Sequence, residues 1–139
     1  MTARFRTKAT YEDVINAPDH LIAELIDGDL FTSPRPRLRH SNVASTVHLM
    51  LGPLQRGPGG PGGWIFLFEP ELHLGENVLV PDLAGWRRER MNEVPDAAAA
   101  ELPPDWVCEV LSRSTVRLDR ELKLPIYARY GVPHVWLIG

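Results

Sequence analysis

Two carboxylates stand inside apolar stretches of this sequence: Asp82 in "NVLVPDLAGW" and Glu109 in "WVCEVLS". A carboxylate taken out of water costs several kcal/mol unless a cation, a proton or hydrogen-bond donors compensate it, and two neighbouring carboxylates repel each other. If the two segments are neighbouring strands, a divalent metal is the economical compensation. Mg²⁺ or Mn²⁺ fits, because Mg²⁺ favours carboxylate oxygens and keeps water and substrate phosphate as further ligands.

Hydrolysis of a phosphodiester needs more than a metal that polarises a phosphoryl oxygen and supplies hydroxide. A further cation must hold the attacking water or stabilise the developing charge, and Lys123, in the helix after Glu109, is the candidate. The plainer interpretations stay open here. Lone helical lysines are usually at the surface, and the two acids could sit at strand ends, solvated or bonded to arginine.

The elements that must position these residues begin with three segments in the first half of the chain. "TYEDVINA" predicts a short helix that is capped by Thr10 and ends before Pro18. "LIAELIDGDLFTS" predicts a hairpin with Asp27-Gly28 as its turn. "HSNVASTVHLMLGPL" predicts a helix capped by Ser41, and its apolar stripe is formed by Val43, Val47, Met50 and Leu54. Residues 52–63, rich in Gly and Pro, predict an irregular exposed connector.

The second half predicts strands at "WIFLF", "ELHL" and "NVLVPDLAGW", and a central strand at "WVCEVLS". "LDRELKLPIYARYG" predicts a helix with Leu122, Ile126 and Tyr130 on its apolar face, followed by a last strand, "VPHVWLIG". The predicted order is αββαβββαβ. The fold class is therefore mixed α/β, with a central β-sheet flanked by helices.

The composition is that of an ordinary globular protein, with 139 residues, 44% hydrophobic and 24% charged, and it predicts one domain over residues 1–139. No stretch is apolar enough to span a bilayer or resembles a signal peptide, so a cytoplasmic location without membrane contact is expected. Cys108 is alone and predicts a buried, inert thiol. A net charge of −3 disfavours nucleic-acid binding by overall charge, but "PRPRLRH" and "RRER" are local basic clusters.

Taken together, "AELIDGDLFTSPRPRLRH", "VPDLAGW", "PPDWVCEVLSRST" and "LDRELKLPIYARYGVPHVWLI", in this order, resemble the Uma2-type restriction endonucleases of the PD-(D/E)xK nuclease superfamily. The resemblance covers nearly the whole chain. It implies a restriction endonuclease-like fold that hydrolyses DNA phosphodiester bonds with Mg²⁺ or Mn²⁺. DNA is the implied partner, and a homodimer is a further expectation by analogy with enzymes that cut both strands.

The resemblance also implies roles for individual residues. Asp82 and Glu109 would bind the metal, and Glu24 is a candidate third ligand. Lys123 would be the catalytic cation, replacing a lysine expected two residues after Glu109, where this chain has Leu111. The substrate-binding candidates are His40, Arg39 and Arg113. For His40 the alternative is a helix-entry histidine satisfied by local hydrogen bonds.

Three departures from the family pattern bear on these roles. Pro125 follows Lys123 by two residues and would kink a helix, which affects the direction of Lys123. Arg113 replaces the usual proline of the family's "SPST" turn. Relatives continue beyond the position of Gly139, so an edge of the sheet is expected to be missing or supplied by another copy.

Two other classes of function remain open on the sequence. One is a nuclease-fold module that binds DNA or a protein without cutting. The other is a structural domain whose acids are ion-paired with Arg113, Arg117 or Arg120.

Overall fold

The structure is a computed structural model, and it describes residues 3–6, 8–55 and 62–139. In these ranges the chain forms nine strands, four α-helices and one π-helix. The strands are β1 (Ala3–Arg6), β2 (Leu21–Ile26), β3 (Asp29–Pro34), β4 (Trp64–Phe68), β5 (Leu72–Leu74), β6 (Asn77–Leu79), β7 (Leu83–Arg87), β8 (Trp106–Val110) and β9 (His134–Ile138). The helices are α1 (Tyr11–Ile15), α2 (Leu38–Met50), α3 (Gly52–Gln55), the π-helix (Leu118–Lys123) and α4 (Leu124–Arg129).

The strands form two sheets. The first has the order β1-β3-β2-β6-β5 and is antiparallel throughout. The second has the order β4-β7-β8-β9, in which β8 pairs antiparallel with β7 and parallel with β9. All five residues of β8 are buried, as predicted for a central strand. Glu109 is therefore held in the middle of the second sheet.

The mixed α/β class is confirmed, but the predicted order αββαβββαβ is wrong. The run predicted as one strand over 77–86 bends at residues 80–82, so that β6 joins the first sheet and β7 joins the second. Pro81 lies in this bend and has no N–H to give to a β-ladder. Asp82 consequently lies just before β7 and not inside a strand. The sequence analysis also missed β1 and α3, the latter within the predicted irregular connector, of which residues 56–61 lie outside the described part.

The predicted hairpin between β2 and β3 is confirmed. Its six pairs run in register from Leu21 opposite Pro34 to Ile26 opposite Asp29. Asp27 and Gly28 both have positive φ, 49° and 85°, which is the backbone of a type I′ turn. The hairpin fixes the side of the first sheet on which Glu24 lies, because side chains alternate along a strand.

The helices differ in detail from their predicted faces. α2 begins at Leu38, three residues before the predicted cap Ser41, and Met50 of the predicted stripe is 75% exposed. In the C-terminal helix Leu122 is 38% exposed, whereas Lys123 and Tyr127 are buried. The π-helix explains why Lys123 and not Leu122 is buried in the C-terminal helix. Its wider turn shifts every following residue away from the 3.6-residue period of an α-helix.

The largest apolar cluster lies between the two sheets and the C-terminal helix, with Trp86, Leu79, Ile126 and Tyr127 fully buried. Cys108 is also fully buried, as predicted, and burial raises the pKa of its thiol to about 12, which disfavours the reactive thiolate. No helix within the described residues is long and apolar enough to cross a membrane.

We expect Gly85→Ala to destabilise the fold by about 1–3 kcal/mol, the usual cost of overpacking a core. A Cβ at this β7 position would lie 2.7 Å from two ring carbons of Phe66 and 3.3 Å from the Trp106 ring. Urea denaturation measures the loss. The control is Gly52→Ala, where the added Cβ meets nothing within 4 Å, and equal stability of the two variants would contradict the packing described here.

Candidate active site

Ionisable side chains from five separate segments converge on the floor of one cleft of about 800 Å³. The contributing elements are β2, the bend between β6 and β7, β8, the π-helix and α2. The ionisable groups they bring to the floor of the cleft are Glu24, Asp82, Glu109, Asp119, Lys123 and His40. All of these residues except Asp119 are candidates from the sequence. That residue had a detectable signal, since it lies four positions before Lys123 and so shares its side of a helix.

Lys123 is at the centre of the cluster. Its Nζ lies 2.6 Å from Glu24 Oε1 and 2.7 Å from Glu109 Oε2, and its side chain is only 2% exposed. Asp119 Oδ1 is 3.7 Å away. Although burial opposes the charged form, the surrounding carboxylates, Glu109 first, hold the pKa of Lys123 well above its usual value. Lys123 is therefore a buried ammonium and not a surface lysine.

Pro125 does not turn Lys123 away from the site. The π-helix ends at Lys123, and the N–H of Leu124 donates to Asp119 O, five residues earlier. Pro125 then falls in the first turn of α4, where a missing N–H costs nothing. The change from π-helix to α-helix thus absorbs the proline and directs Lys123 inward.

Asp82 and Glu109 are direct neighbours. The backbone N–H of Asp82 donates to Glu109 Oε1 at 3.3 Å, and the backbone N–H of Val110 donates to Asp82 Oδ2 at 2.6 Å. Glu109 Oε2 accepts a hydrogen bond from Tyr127 Oη at 2.8 Å as well as the bond from Lys123. One oxygen of Glu109 therefore faces Asp82, and the other faces Lys123 and Tyr127.

His40 supports Asp82 from α2. Its Nε2 lies 2.8 Å from Val110 O, to which it donates, and 3.3 Å from Asp82 Oδ2. The hydrogen bond with Asp82 raises the pKa of His40, although burial opposes the shift. These partners are about 40 and 70 positions away in the chain, so the interpretation of His40 as a locally satisfied histidine is wrong.

The cluster contains more acids than bases. Burial raises the pKa of Glu109 to about 8 and that of Asp119 to about 6, while the Lys123 ammonium opposes both shifts. The remaining carboxylates of the cluster push in the same direction as burial. Such an excess of buried negative charge is the electrostatic setting in which an added cation is favourable.

Arg39 and Arg113 lie at the rim of the cleft with exposed side chains, as do Arg35 and Arg37. Arg117 instead pairs with Glu121 at 3.4 Å on the surface. The acids of the floor take Lys123 and His40 as counter-ions, so the specific arginine pairing proposed for a purely structural domain is wrong. Ser112 bonds the hydroxyls of Ser114 and Thr115, and these residues form the turn before the π-helix.

The chemistry of the donor set fits a hard divalent cation, because Asp82 and Glu109 both line the cleft with carboxylates and are linked by the hydrogen bond from the Asp82 N–H to Glu109 Oε1. No group of three His, Cys, Asp or Glu side chains among the described residues is arranged to hold a metal. Glu24 is engaged by Lys123 and by the N–H of Val80, at 2.8 Å, and its role as a third ligand stays a prediction. Two carboxylates are sufficient for Mg²⁺, which commonly takes one or two and completes its shell with water and phosphate.

Comparison with known proteins gives a family match and solved structures of similar fold. The model of the Uma2 family, described as "Putative restriction endonuclease", matches residues 9–139. A solved structure from Anabaena variabilis, described as a "putative nuclease belonging to DUF820", aligns with a TM-score of 0.73 and 20% identity, over 93% of this chain and 73% of that chain. At this identity the likeness shows the fold alone. No curated protein matches the chain.

We expect the metal-free protein to lose stability on the order of 2 kcal/mol between pH 6 and pH 8 because Glu109 must ionise in the folded state. A carboxyl whose folded-state pKa lies above its unfolded value of 4.5 stabilises the fold fully below that value. This stabilisation is lost as the pH rises through the folded-state pKa of about 8. Urea titrations in EDTA at several pH values measure the slope of the free energy of unfolding against pH.

Two variants isolate the contribution of Glu109 to this slope. Glu109→Gln should reduce this slope to the smaller loss that Asp119 and His40, whose pKa values are also raised, still cause, whereas Glu121→Gln, at an exposed site of the same helical segment, should keep the wild-type slope. If the two variants have the same slope, Glu109 does not carry the raised pKa.

Proposed function

This chain belongs to the Uma2 family, and we propose that it is a metal-dependent endonuclease that hydrolyses DNA phosphodiester bonds. The observation that carries the proposal is that Asp82 and Glu109 line one cleft, joined by the hydrogen bond from the Asp82 N–H to Glu109 Oε1, beside the buried ammonium of Lys123. Two adjacent carboxylates and a fixed cation at the floor of one cleft are what metal-assisted phosphodiester hydrolysis requires.

Asp82 and Glu109 are the proposed metal ligands, and Glu24 remains the candidate third ligand. A bound Mg²⁺ or Mn²⁺ would polarise a phosphoryl oxygen and lower the pKa of a bound water. His40 and Val110 fix Asp82, while Tyr127 and Lys123 fix Glu109. Both carboxylates are thereby held in place before any ligand arrives, which lowers the reorganisation needed for catalysis.

Lys123 is proposed to act through its charge. Its three N–H groups have partners in Glu24, Glu109 and the carbonyl of Val80, the last at 3.4 Å. A lysine with all donors engaged is poorly placed to hold a water molecule. A positive charge buried in a low-dielectric site still stabilises negative charge that develops on the phosphoryl group.

The arginines of the rim are proposed to bind the DNA backbone. Arg39 and Arg113 are exposed above the acidic floor, and they lie with Arg35 and Arg37 around the opening. This local cluster can neutralise phosphates although the net charge of the chain is −3. His40, predicted as a substrate contact, is proposed to support Asp82 instead, because its Nε2 is engaged by Asp82 and Val110.

A second candidate is a nuclease-fold module that binds DNA without cutting it. The observation that favours it is the ion pair of Lys123 with Glu24 and Glu109, which supplies a counter-ion to these acids without any metal. The two candidates share the rim of the cleft and differ in whether Asp82 and Glu109 bind a metal.

We expect the protein to cut plasmid DNA in Mg²⁺ or Mn²⁺, and Asp82→Asn and Glu109→Gln to lower the rate by about 100-fold or more. Agarose gels of supercoiled substrate over time give the rate. Glu121→Gln removes an exposed carboxylate of the same helical segment and should keep the wild-type rate. Cleavage in EDTA, or an undiminished rate in folded Glu109→Gln, would contradict the proposal, and tight DNA binding without cleavage would favour the second candidate.

Arg39→Ala and Arg113→Ala should each weaken DNA binding and reduce the slope of log K against log salt by roughly 1. Fluorescence anisotropy with a labelled duplex, measured without divalent metal over a salt series, gives the slope. Arg129→Ala is the matched control, since Arg129 is exposed and pairs with Asp27 at 3.1 Å away from the cleft. If all three variants have the same slope, the rim does not bind phosphate.

A further inference from the structure

The space between Glu24 and Glu109 already contains a cation, the ammonium of Lys123. Its distances to the two carboxylates, 2.6 Å and 2.7 Å, are those of close ion pairs. We propose that Lys123 takes the place of a second metal ion, so that the site binds one divalent ion, at Asp82 and Glu109, and not two. This inference rests on the proposed function, because it concerns the metal content of the same site.

The orientation of Glu109 is the first argument. Two-metal phosphodiester sites place their ions about 3.5–4 Å apart, close enough for one carboxylate to contact both. Glu109 turns Oε1 toward Asp82, with the Asp82 N–H at 3.3 Å, and turns Oε2 toward Lys123. One oxygen of Glu109 is therefore taken by a cation of the chain itself, and the oxygen on the Asp82 side is the one left for a metal.

The confinement of Lys123 is the second argument. Its side chain is 2% exposed, and the carbonyl of Val80 lies 3.4 Å from Nζ on the side of the bend between β6 and β7. A metal between Glu24 and Glu109 would have to expel the ammonium from both ion pairs at once. A metal that entered this same space while the ammonium stayed would face it with no carboxylate between them, whereas for a metal at Asp82 and Glu109 the Glu109 carboxylate offsets the repulsion.

Glu24 takes a different role under this inference. Its Oε1 accepts both the Lys123 ammonium and the Val80 N–H, at 2.6 Å and 2.8 Å. Glu24 is then a positioning residue that holds Lys123 and not a third metal ligand. The two roles predict different metal affinities for Glu24→Gln, because the amide oxygen can still accept the Val80 N–H.

The experiment counts Mn²⁺ bound to the intact protein, by the electron paramagnetic resonance signal of free Mn²⁺ and by calorimetry. Wild type should bind one Mn²⁺ per chain. Folded Lys123→Met should bind two, because the vacated position lies between two carboxylates. Glu24→Gln should bind one Mn²⁺ with less than a threefold change in affinity. Glu109→Gln should lower the affinity for Mn²⁺ more than tenfold.

Thermal melting verifies that each variant is folded, and the wild-type count tests the inference even if Lys123→Met does not fold. Two Mn²⁺ per wild-type chain, or one in folded Lys123→Met, overturns the inference. A tenfold loss of affinity in Glu24→Gln also overturns it, because Glu24 would then be a ligand. One Mn²⁺ without cleavage of DNA supports the inference and contradicts the proposed function, whereas no Mn²⁺ at all overturns both.

Discussion

The ion pairs of Lys123 are the interaction on which the site and much of the fold depend. Glu24 belongs to the first sheet, Glu109 to the second, and Lys123 to the helical segment that packs over both. Desolvation and mutual repulsion oppose the approach of buried carboxyls from two sheets, and the positive charge between them offsets both effects. The same ammonium therefore joins the three layers and creates the electrostatic environment of the cleft.

The bend at residues 80–82 couples the architecture to the chemistry. This short segment leaves the first sheet after β6 and enters the second at β7. In this segment the Val80 N–H donates to Glu24, and the Val80 carbonyl accepts from Lys123. Two residues later, the Asp82 N–H donates to Glu109. Backbone groups that a strand would have used within a β-ladder are satisfied here by the charged cluster. The carboxylate of Asp82, which interrupts the apolar run, is compensated for its burial by the N–H of Val110 and by His40.

The charges of the cleft are layered. The floor is formed by acidic residues together with Lys123 and His40, while exposed arginines surround the opening. A chain with a net charge of −3 can in this way present a basic surface to an anionic polymer and keep an acidic interior for a cation. The two layers are compatible because solvent screens the exposed arginines, whereas the buried groups interact strongly over short distances.

The sequence by itself determined the features that depend on near neighbours in the chain. The Asp27-Gly28 pair and the apolar run around Glu109 specified the hairpin and the central strand, and the two isolated acids indicated the site. Only the tertiary structure decided the split of residues 77–87 between two sheets, the support of Asp82 by His40, and the inclusion of Asp119. The inward direction of Lys123 also belongs to this second group. These features depend on contacts between residues far apart in the chain and on a π-helix, whose wider turn a 3.6-residue hydrophobic period does not represent.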